Sequence, residues 1–144
     1  MINDLLQFLN YENIYLIANI GVIPCWLLLI FLPNHVITKF FVKSIVIPLI
    51  LSAAYILIIY QIYLTENIFE IFNLYIGLDE LYSLFSNEGF LLIFWLHFLT
   101  INLFAGNWIA NDAQNFSVSR PLVIISLITT YFTGPLGLVF YWLI

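Results

Sequence analysis

The sequence predicts an all-α, polytopic membrane protein with four transmembrane helices and an interfacial amphipathic segment between helices 2 and 3. Of its 144 residues, 64% are apolar and 8% are charged, and the mean hydropathy is +1.08. Soluble domains average roughly 45 to 50% apolar and about 25% charged residues, so this chain has too few polar side chains to cover a water-facing surface. We therefore expect one transmembrane domain over residues 1–144.

Four apolar runs are long enough to cross the hydrocarbon core, which needs about 20 residues per helix. They cover about residues 14–32, 44–64, 90–110 and 121–143. Pro24 predicts a kink in the first run, and Gly134 with Pro135 predicts a bend in the fourth. Asp4 and Glu12 precede the first run, and no basic residue does, so we expect a retained span and not a cleaved signal peptide.

The connection between the second and third runs, about residues 65–89, has apolar residues at helical spacing. The two sets are Ile68, Ile71, Phe72 and Tyr75, then Leu74, Leu78, Leu81 and Phe85. We expect one or two amphipathic helices flat at the interface, with a break near Gly77. The segment is either a connector packed on the bundle end or a lid over a lipid-side entrance. Ser86 and Asn87 are predicted to cap the third span.

The basic residues predict the orientation. Lys39 and Lys43 lie in the first connection and Arg120 lies in the third. Because basic residues near span ends stay on the inner side, both termini and the middle connection are expected on the opposite side, with seven of the eight acidic residues. The membrane is a bacterial inner membrane or a thylakoid or plastid membrane. A net charge of −5 excludes nucleic acid as a partner, and membrane lipid is the expected one.

Polar residues inside a span are functional candidates, and the third run has the most. His97, Ile101, Phe104 and Trp108 share one helical stripe, which Asp112 continues. An imidazole and a carboxylate separated by apolar and aromatic side chains can bracket an elongated apolar ligand. The alternative is that His97 is a core histidine hydrogen-bonded to a hydroxyl of another helix.

Metal binding is not expected. The second histidine, His35, lies in a short connection, and the single cysteine, Cys25, lies in an apolar run. A zinc site needs three or four converging ligands. In the fourth run Ser126, Thr130 and Thr133 share a small polar face, which is more typical of helix packing than of catalysis, with Thr130 also a candidate ligand contact.

Three stretches together resemble a known family. They are FLPNHVITKFF at 31–41, FWLHFLTINLFAGNWIANDA at 94–113 and GPLGLVFY at 134–141. They are similar to the small four-helix membrane proteins named for abscisic acid deficiency in plants, the neoxanthin-synthase-like family. The resemblance covers most of the chain after about residue 14. The marked positions that it implies are Pro33, Asn34, Lys39, Trp95, His97, Phe104, Asp112, Gly134 and Pro135.

The resemblance implies a carotenoid-binding protein of xanthophyll biosynthesis that isomerises an epoxide to an allene. The chemistry is redox-neutral and requires no cofactor, the carotenoid being substrate or ligand; it needs a general acid and a general base. We assign His97 as acid or base, Asp112 as a second proton carrier or orienting group, and Asn102 as a donor to the developing alkoxide. Plant members usually have an aspartate where Asn102 stands, and an amide cannot act as a carboxylate base. The expected ligand contacts are Trp95, Phe104, Trp108, Asn34 and Thr130.

A second interpretation is a non-catalytic pigment-binding or accessory subunit of a photosynthetic or carotenoid-processing complex, with other membrane subunits as partners. The aromatic content of 19% suits contact with a polyene or with chlorophyll, and His97 would then ligate the chlorophyll magnesium. We expect no plastid transit segment ahead of the first run, and therefore a bacterial, cyanobacterial or plastid-encoded member.

Overall fold

The structure is all-helical, as predicted. A computed structural model describes residues 9–44 and 46–144, and no strand occurs in these residues. The α-helices are α1 (Tyr11–Phe31), α2 (Val46–Thr65), α3 (Leu78–Phe85), α4 (Glu88–Asn115), α5 (Arg120–Thr133) and α6 (Pro135–Trp142). A π-helical turn, Thr38–Val42, lies between α1 and α2, and a 3₁₀-helix, Ile68–Tyr75, lies between α2 and α3.

Three helices are long and apolar enough to cross a membrane: α1 with 21 residues, α2 with 20 and α4 with 28. They match the first three predicted runs, although Ile45 and the acidic Asp4 lie outside the described residues. At 1.5 Å per residue α4 is about 42 Å long, which exceeds a hydrocarbon core of about 30 Å. The fourth run forms two helices and not one, so the count of four spans stays a prediction, as does the single domain.

The fourth run breaks where Gly134 and Pro135 predicted a bend. Gly134 has a φ of +60°, a conformation that side chains disfavour, and it ends α5. Pro135 then begins α6, because its missing amide hydrogen and fixed φ suit the first turn of a helix. In that turn Gly137 lies against the backbone and hydroxyl of Thr130 with no room for a Cβ. The two helices therefore form a tight corner.

The chain divides into two compact units. Unit 1 comprises Met1–Ala18 and Leu51–Phe98, and unit 2 comprises Asn19–Ile50 and Leu99–Ile144. In unit 1 the Gln61 Nε2 donates to the Leu9 carbonyl at 3.1 Å. Its buried apolar side chains include Ile58, Ile62, Phe90, Ile93 and Leu96.

The middle connection of unit 1 is helical on both sides of Gly77, which confirms the predicted break. Asn87 caps α4 as predicted, since its Oδ1 accepts from the Gly89 amide at 2.9 Å. Its Nδ2 donates to Glu66 at 2.7 Å. Ser86 does not share this role, because its hydroxyl donates to the Tyr82 carbonyl at 3.0 Å.

Several contacts in unit 2 join residues that are far apart in the chain. The Trp26 ring of α1 lies over Gly106 of α4, where a Cβ would be 2.6 Å from the ring. Arg120 donates to the Phe31 carbonyl at 2.7 Å, and the Asn107 Nδ2 donates to the Lys43 carbonyl at 3.3 Å. Unit 2 contains all three basic residues of the chain and one acidic residue, Asp112.

Candidate functional site

Helix α4 carries most of the predicted site residues, and its buried face differs from the expected one. The buried stripe alternates spacings of three and four and consists of Leu96, Leu99, Leu103, Gly106, Ala110 and Ala113. The stripe that we expected to face a ligand, His97, Ile101, Phe104 and Trp108, is exposed. Both faces of the helix are apolar, so hydrophobicity alone does not distinguish the packed face from the lipid-facing one.

Asp112 lies at a cavity of about 560 Å³ in unit 2, which we call the Asp112 cavity. The hydroxyl of Tyr141, from α6, donates to the Asp112 Oδ2 at 2.7 Å. The Trp108 ring meets the Tyr141 ring edge-on, with centroids 5.7 Å apart. The rest of the lining is apolar and consists of Phe116, Val118, Leu138, Val139, Trp142 and Ile144. The cavity is open, because Phe116 and Trp142 are exposed.

The Asp112–Tyr141 pair supplies a proton acceptor and a proton donor beside an aromatic and aliphatic wall. Tyr141 is buried and Asp112 is half-buried. In such surroundings a hydrogen bond is stronger than in water, which fixes the two groups relative to each other. Asp112 and Trp108 were predicted site residues, but Tyr141 was not. The signal that could have found it is its place at the end of GPLGLVFY.

Asn102 is buried, with 6% of its surface exposed, and its Nδ2 has no hydrogen-bond partner among the described residues. A Cβ at Gly134 would lie 2.5 Å from the Asn102 Oδ1, so the amide abuts the corner between α5 and α6. Asn102 does not line the Asp112 cavity. It is an available donor in the core of unit 2.

The other predicted contacts are dispersed. Thr130 is fully buried and its hydroxyl donates to the Ser126 carbonyl of the preceding turn at 2.8 Å, which indicates packing. Phe104 is 64% exposed. Asn34 lines a separate cavity of about 260 Å³ in unit 2, together with Arg120.

Trp95 lies in unit 1, at a cavity of about 530 Å³. Its ring is 6.1 Å from that of Tyr15 and is stacked on Phe98 at 5.3 Å. The lining also includes Tyr11, Glu12, Glu88, Leu91 and Leu92. His97, also in unit 1, lines none of these three cavities.

In the connection between α1 and α2, the side chain of Lys43 has a shifted pKa. Burial lowers the pKa of Lys43, and the nearby charge of Lys39 lowers that pKa further.

In the part of the chain that the structure describes, no three His, Cys, Asp or Glu side chains are grouped to hold a metal ion. The absence of a metal requirement stays a prediction.

The comparisons with known proteins identify the family. The model for the family described as ABA DEFICIENT 4-like matches residues 13–141. The chain belongs to the ABA4-like family. Protein ABA DEFICIENT 4, chloroplastic, from Arabidopsis thaliana is 28% identical over an alignment of 132 residues, and the alignment covers 89% of this chain and 58% of that relative. The chain thus spans less than two thirds of the relative's length. No solved structure matches the chain.

The ABA4-like match includes both partners of the hydrogen bond in the Asp112 cavity, since it ends at Tyr141. It also includes Trp108, whose ring contacts Tyr141. The resemblance found in the sequence is therefore confirmed at the level of the family, and seven of the nine residues that line the Asp112 cavity lie within the matched region.

Proposed function

We propose that this ABA4-like protein is an integral membrane protein of xanthophyll biosynthesis, and that the Asp112 cavity receives the ring end of a carotenoid. The observation that carries the proposal is the 2.7 Å hydrogen bond from Tyr141 to Asp112 inside a wall that is otherwise apolar and aromatic. Apolar clefts with few polar groups are typical of small-molecule sites. The family membership and the neoxanthin-synthase-like resemblance support the choice of ligand.

The proposed location is a plastid membrane, thylakoids included. The Arabidopsis relative is chloroplastic by name, and three helices of this chain have the length and composition of membrane spans. The comparisons do not support the bacterial inner membrane that the sequence analysis also allowed. The orientation of the termini opposite Lys39, Lys43 and Arg120 stays a prediction.

The proposed reaction is the isomerisation of a carotenoid epoxide to an allenic alcohol. Tyr141 gives its hydroxyl proton to the epoxide oxygen as the carbon–oxygen bond breaks. Asp112 takes a proton from the polyene carbon, and the two electrons of that carbon–hydrogen bond form the new double bond. Asp112 then returns the proton to the Tyr141 oxygen along their hydrogen bond, so that the protein is unchanged and the product has the mass of the substrate.

The test is conversion in liposomes that contain the protein and an epoxide-bearing xanthophyll, followed by chromatography and mass spectrometry. Asp112→Asn and Tyr141→Phe should each lower the rate by about 10²- to 10⁴-fold, the usual contribution of a general acid or base. Asp79→Asn and Tyr131→Phe are matched controls: Asp79 is exposed in unit 1, and Tyr131 lies against Trp26. Turnover that survives both cavity variants would overturn the proposal.

The second candidate, a pigment-binding subunit without catalysis, is favoured by the exposed imidazole of His97 on an apolar helix face. Such an imidazole is available to a ligand from outside the chain, and chlorophyll magnesium is the proposed one. The protein purified in mild detergent would then carry chlorophyll, which His97→Ala would remove and His35→Ala would leave in place. The predicted acid or base role of His97 is tested by the same variant in the conversion assay.

A further inference from the structure

We propose that the cavity lined by Asn34, Gln114, Ser117 and Arg120 binds the phosphate of an anionic lipid headgroup. We call it the Arg120 cavity; its volume is about 260 Å³ and it lies entirely in unit 2. The proposal is independent of the carotenoid site, since the two cavities share one lining residue, Val118, and neither Asp112 nor Tyr141 lines this one.

Arg120 is held in position by the end of α1. Its Nη2 donates to the carbonyl of Phe31, the last residue of that helix, at 2.7 Å. A guanidinium has five N–H donors in a planar fork, so this single bond leaves others for a ligand. The geometry of such a fork matches phosphate as well as carboxylate, often through two parallel hydrogen bonds.

The rest of the polar lining consists of neutral donors. The side chains of Asn34 and Gln114 each offer an amide N–H, and Ser117 offers a hydroxyl. Among the described residues that line the cavity there is no carboxylate. The single acidic residue of unit 2, Asp112, accepts the hydrogen bond of Tyr141 instead. The charge of Arg120 is therefore available to an anion.

The position of the cavity favours a lipid as the source of the phosphate. Phe31 ends α1 and Gln114 is next to the last residue of α4, and both helices have the length and composition of spans. The ends of spans lie at the level of the lipid headgroups. The cavity also has an apolar part, which includes Leu29, Ile30 and Val123 and suits the glycerol and first acyl carbons.

The test titrates the detergent-purified protein with short-chain phosphatidylglycerol and measures bound lipid by native mass spectrometry. Arg120→Gln should weaken binding about tenfold, as expected for a lost charge-assisted contact, while Arg120→Lys should retain more of it. Gln keeps an amide donor for Phe31. Asn34→Leu leaves the Arg120 contact untouched and should weaken binding by about threefold, so the proposal stays testable if Arg120→Gln does not fold.

Lys39→Gln is the matched control, since Lys39 is exposed, carries the same charge and does not line the cavity. It should change binding little. An equal loss in Lys39→Gln and Arg120→Gln would show general attraction to anionic lipid and overturn the site. Displacement of phosphatidylglycerol by inorganic phosphate would overturn the lipid as the source and assign the cavity to a soluble phosphate. Equal binding of zwitterionic phosphatidylcholine would contradict the role of charge.

Discussion

Among the described residues, the hydrogen-bond partner of the Asp112 carboxylate is the hydroxyl of Tyr141 and not a basic side chain. Tyr141 donates to it without neutralising its charge, so the carboxylate keeps the ability to accept a proton. Both side chains come from helices, α4 and α6, which restricts their movement. A proton donor and a proton acceptor are thereby held together in an apolar cavity.

The hydrogen bond should also contribute to stability. Tyr141→Phe should lower the free energy of unfolding by about 1 to 3 kcal/mol, because Asp112 loses a partner in partly buried surroundings. Thermal unfolding in detergent measures the change. Tyr131→Phe removes a hydroxyl from a ring that packs on Trp26 and should have a smaller effect. Equal effects of the two variants would contradict the assigned bond.

At Asn102, in contrast to Tyr141, removing the polar group should not lower the stability of the protein. Its Nδ2 is buried without a partner in the described residues, which costs free energy. Leucine has the same number and branching of side-chain heavy atoms as asparagine and removes that cost, so in Asn102→Leu the melting temperature should stay the same or rise. If ligand binding then falls in the pigment assays, Asn102 serves the ligand as predicted. A clear loss of stability would instead show that its amide is satisfied in the folded protein.

At the scale of elements, glycines determine how closely the helices of unit 2 approach. A Cβ at Gly106 would be 2.6 Å from the Trp26 ring, whereas a Cβ at Gly21 of α1 would meet nothing within 4 Å. Gly106→Ala should therefore destabilise the protein by about 1 to 3 kcal/mol, and Trp26→Leu in the same chain should restore part of the loss. Gly21→Ala is the control and should be neutral or slightly stabilising. Unfolding measurements that rank Gly21→Ala as the more harmful would contradict this packing.

The sequence predicted the elements well because length, proline and glycine act locally. The apolar runs predicted α1, α2 and α4. Gly134 and Pro135 predicted the break before α6, and Asn87 was predicted to cap α4. The predicted orientation of α4 was wrong, since the stripe of His97, Ile101, Phe104 and Trp108 is exposed. His97 was expected to face inward, but in a membrane span an apolar neighbour can be protein or lipid, and the sequence carries no contrast between the two.

The sequence predicted those residues of the candidate site that stand out by themselves, but not the contacts that the fold creates between distant residues. Asp112 and Trp108 were found because a carboxylate and a large aromatic are conspicuous at the end of a span. Tyr141 was missed because its partner is 29 residues away, and only the fold brings α4 and α6 together. From the sequence, Arg120 served only to predict the orientation in the membrane. Its contact with Phe31 joins residues that are far apart in the chain, so the sequence does not show it.

For the whole molecule, the distribution of charge predicts the topology. Residues 1–18 and 51–98 contain seven acidic residues and no Lys or Arg, while the remainder contains every basic one. Cys25 is the single cysteine, so a Cys25→Ala chain accepts one new cysteine at a time. Ser86→Cys and Ser117→Cys are both at exposed positions and should react with a membrane-impermeant reagent from opposite sides. Labelling of both from one side would contradict the predicted orientation.

Photo-crosslinking tests most directly whether the Asp112 cavity holds a carotenoid. Val139 lines the cavity and is 54% exposed, whereas Leu49 is 55% exposed and does not line it. Each is replaced in turn by benzoylphenylalanine, the reconstituted protein is irradiated with a xanthophyll, and the adduct is located by mass spectrometry. We expect an adduct at position 139 that is reduced by Asp112→Asn, and none above background at position 49. Equal labelling at the two positions would mean that the pigment merely coats the apolar surface.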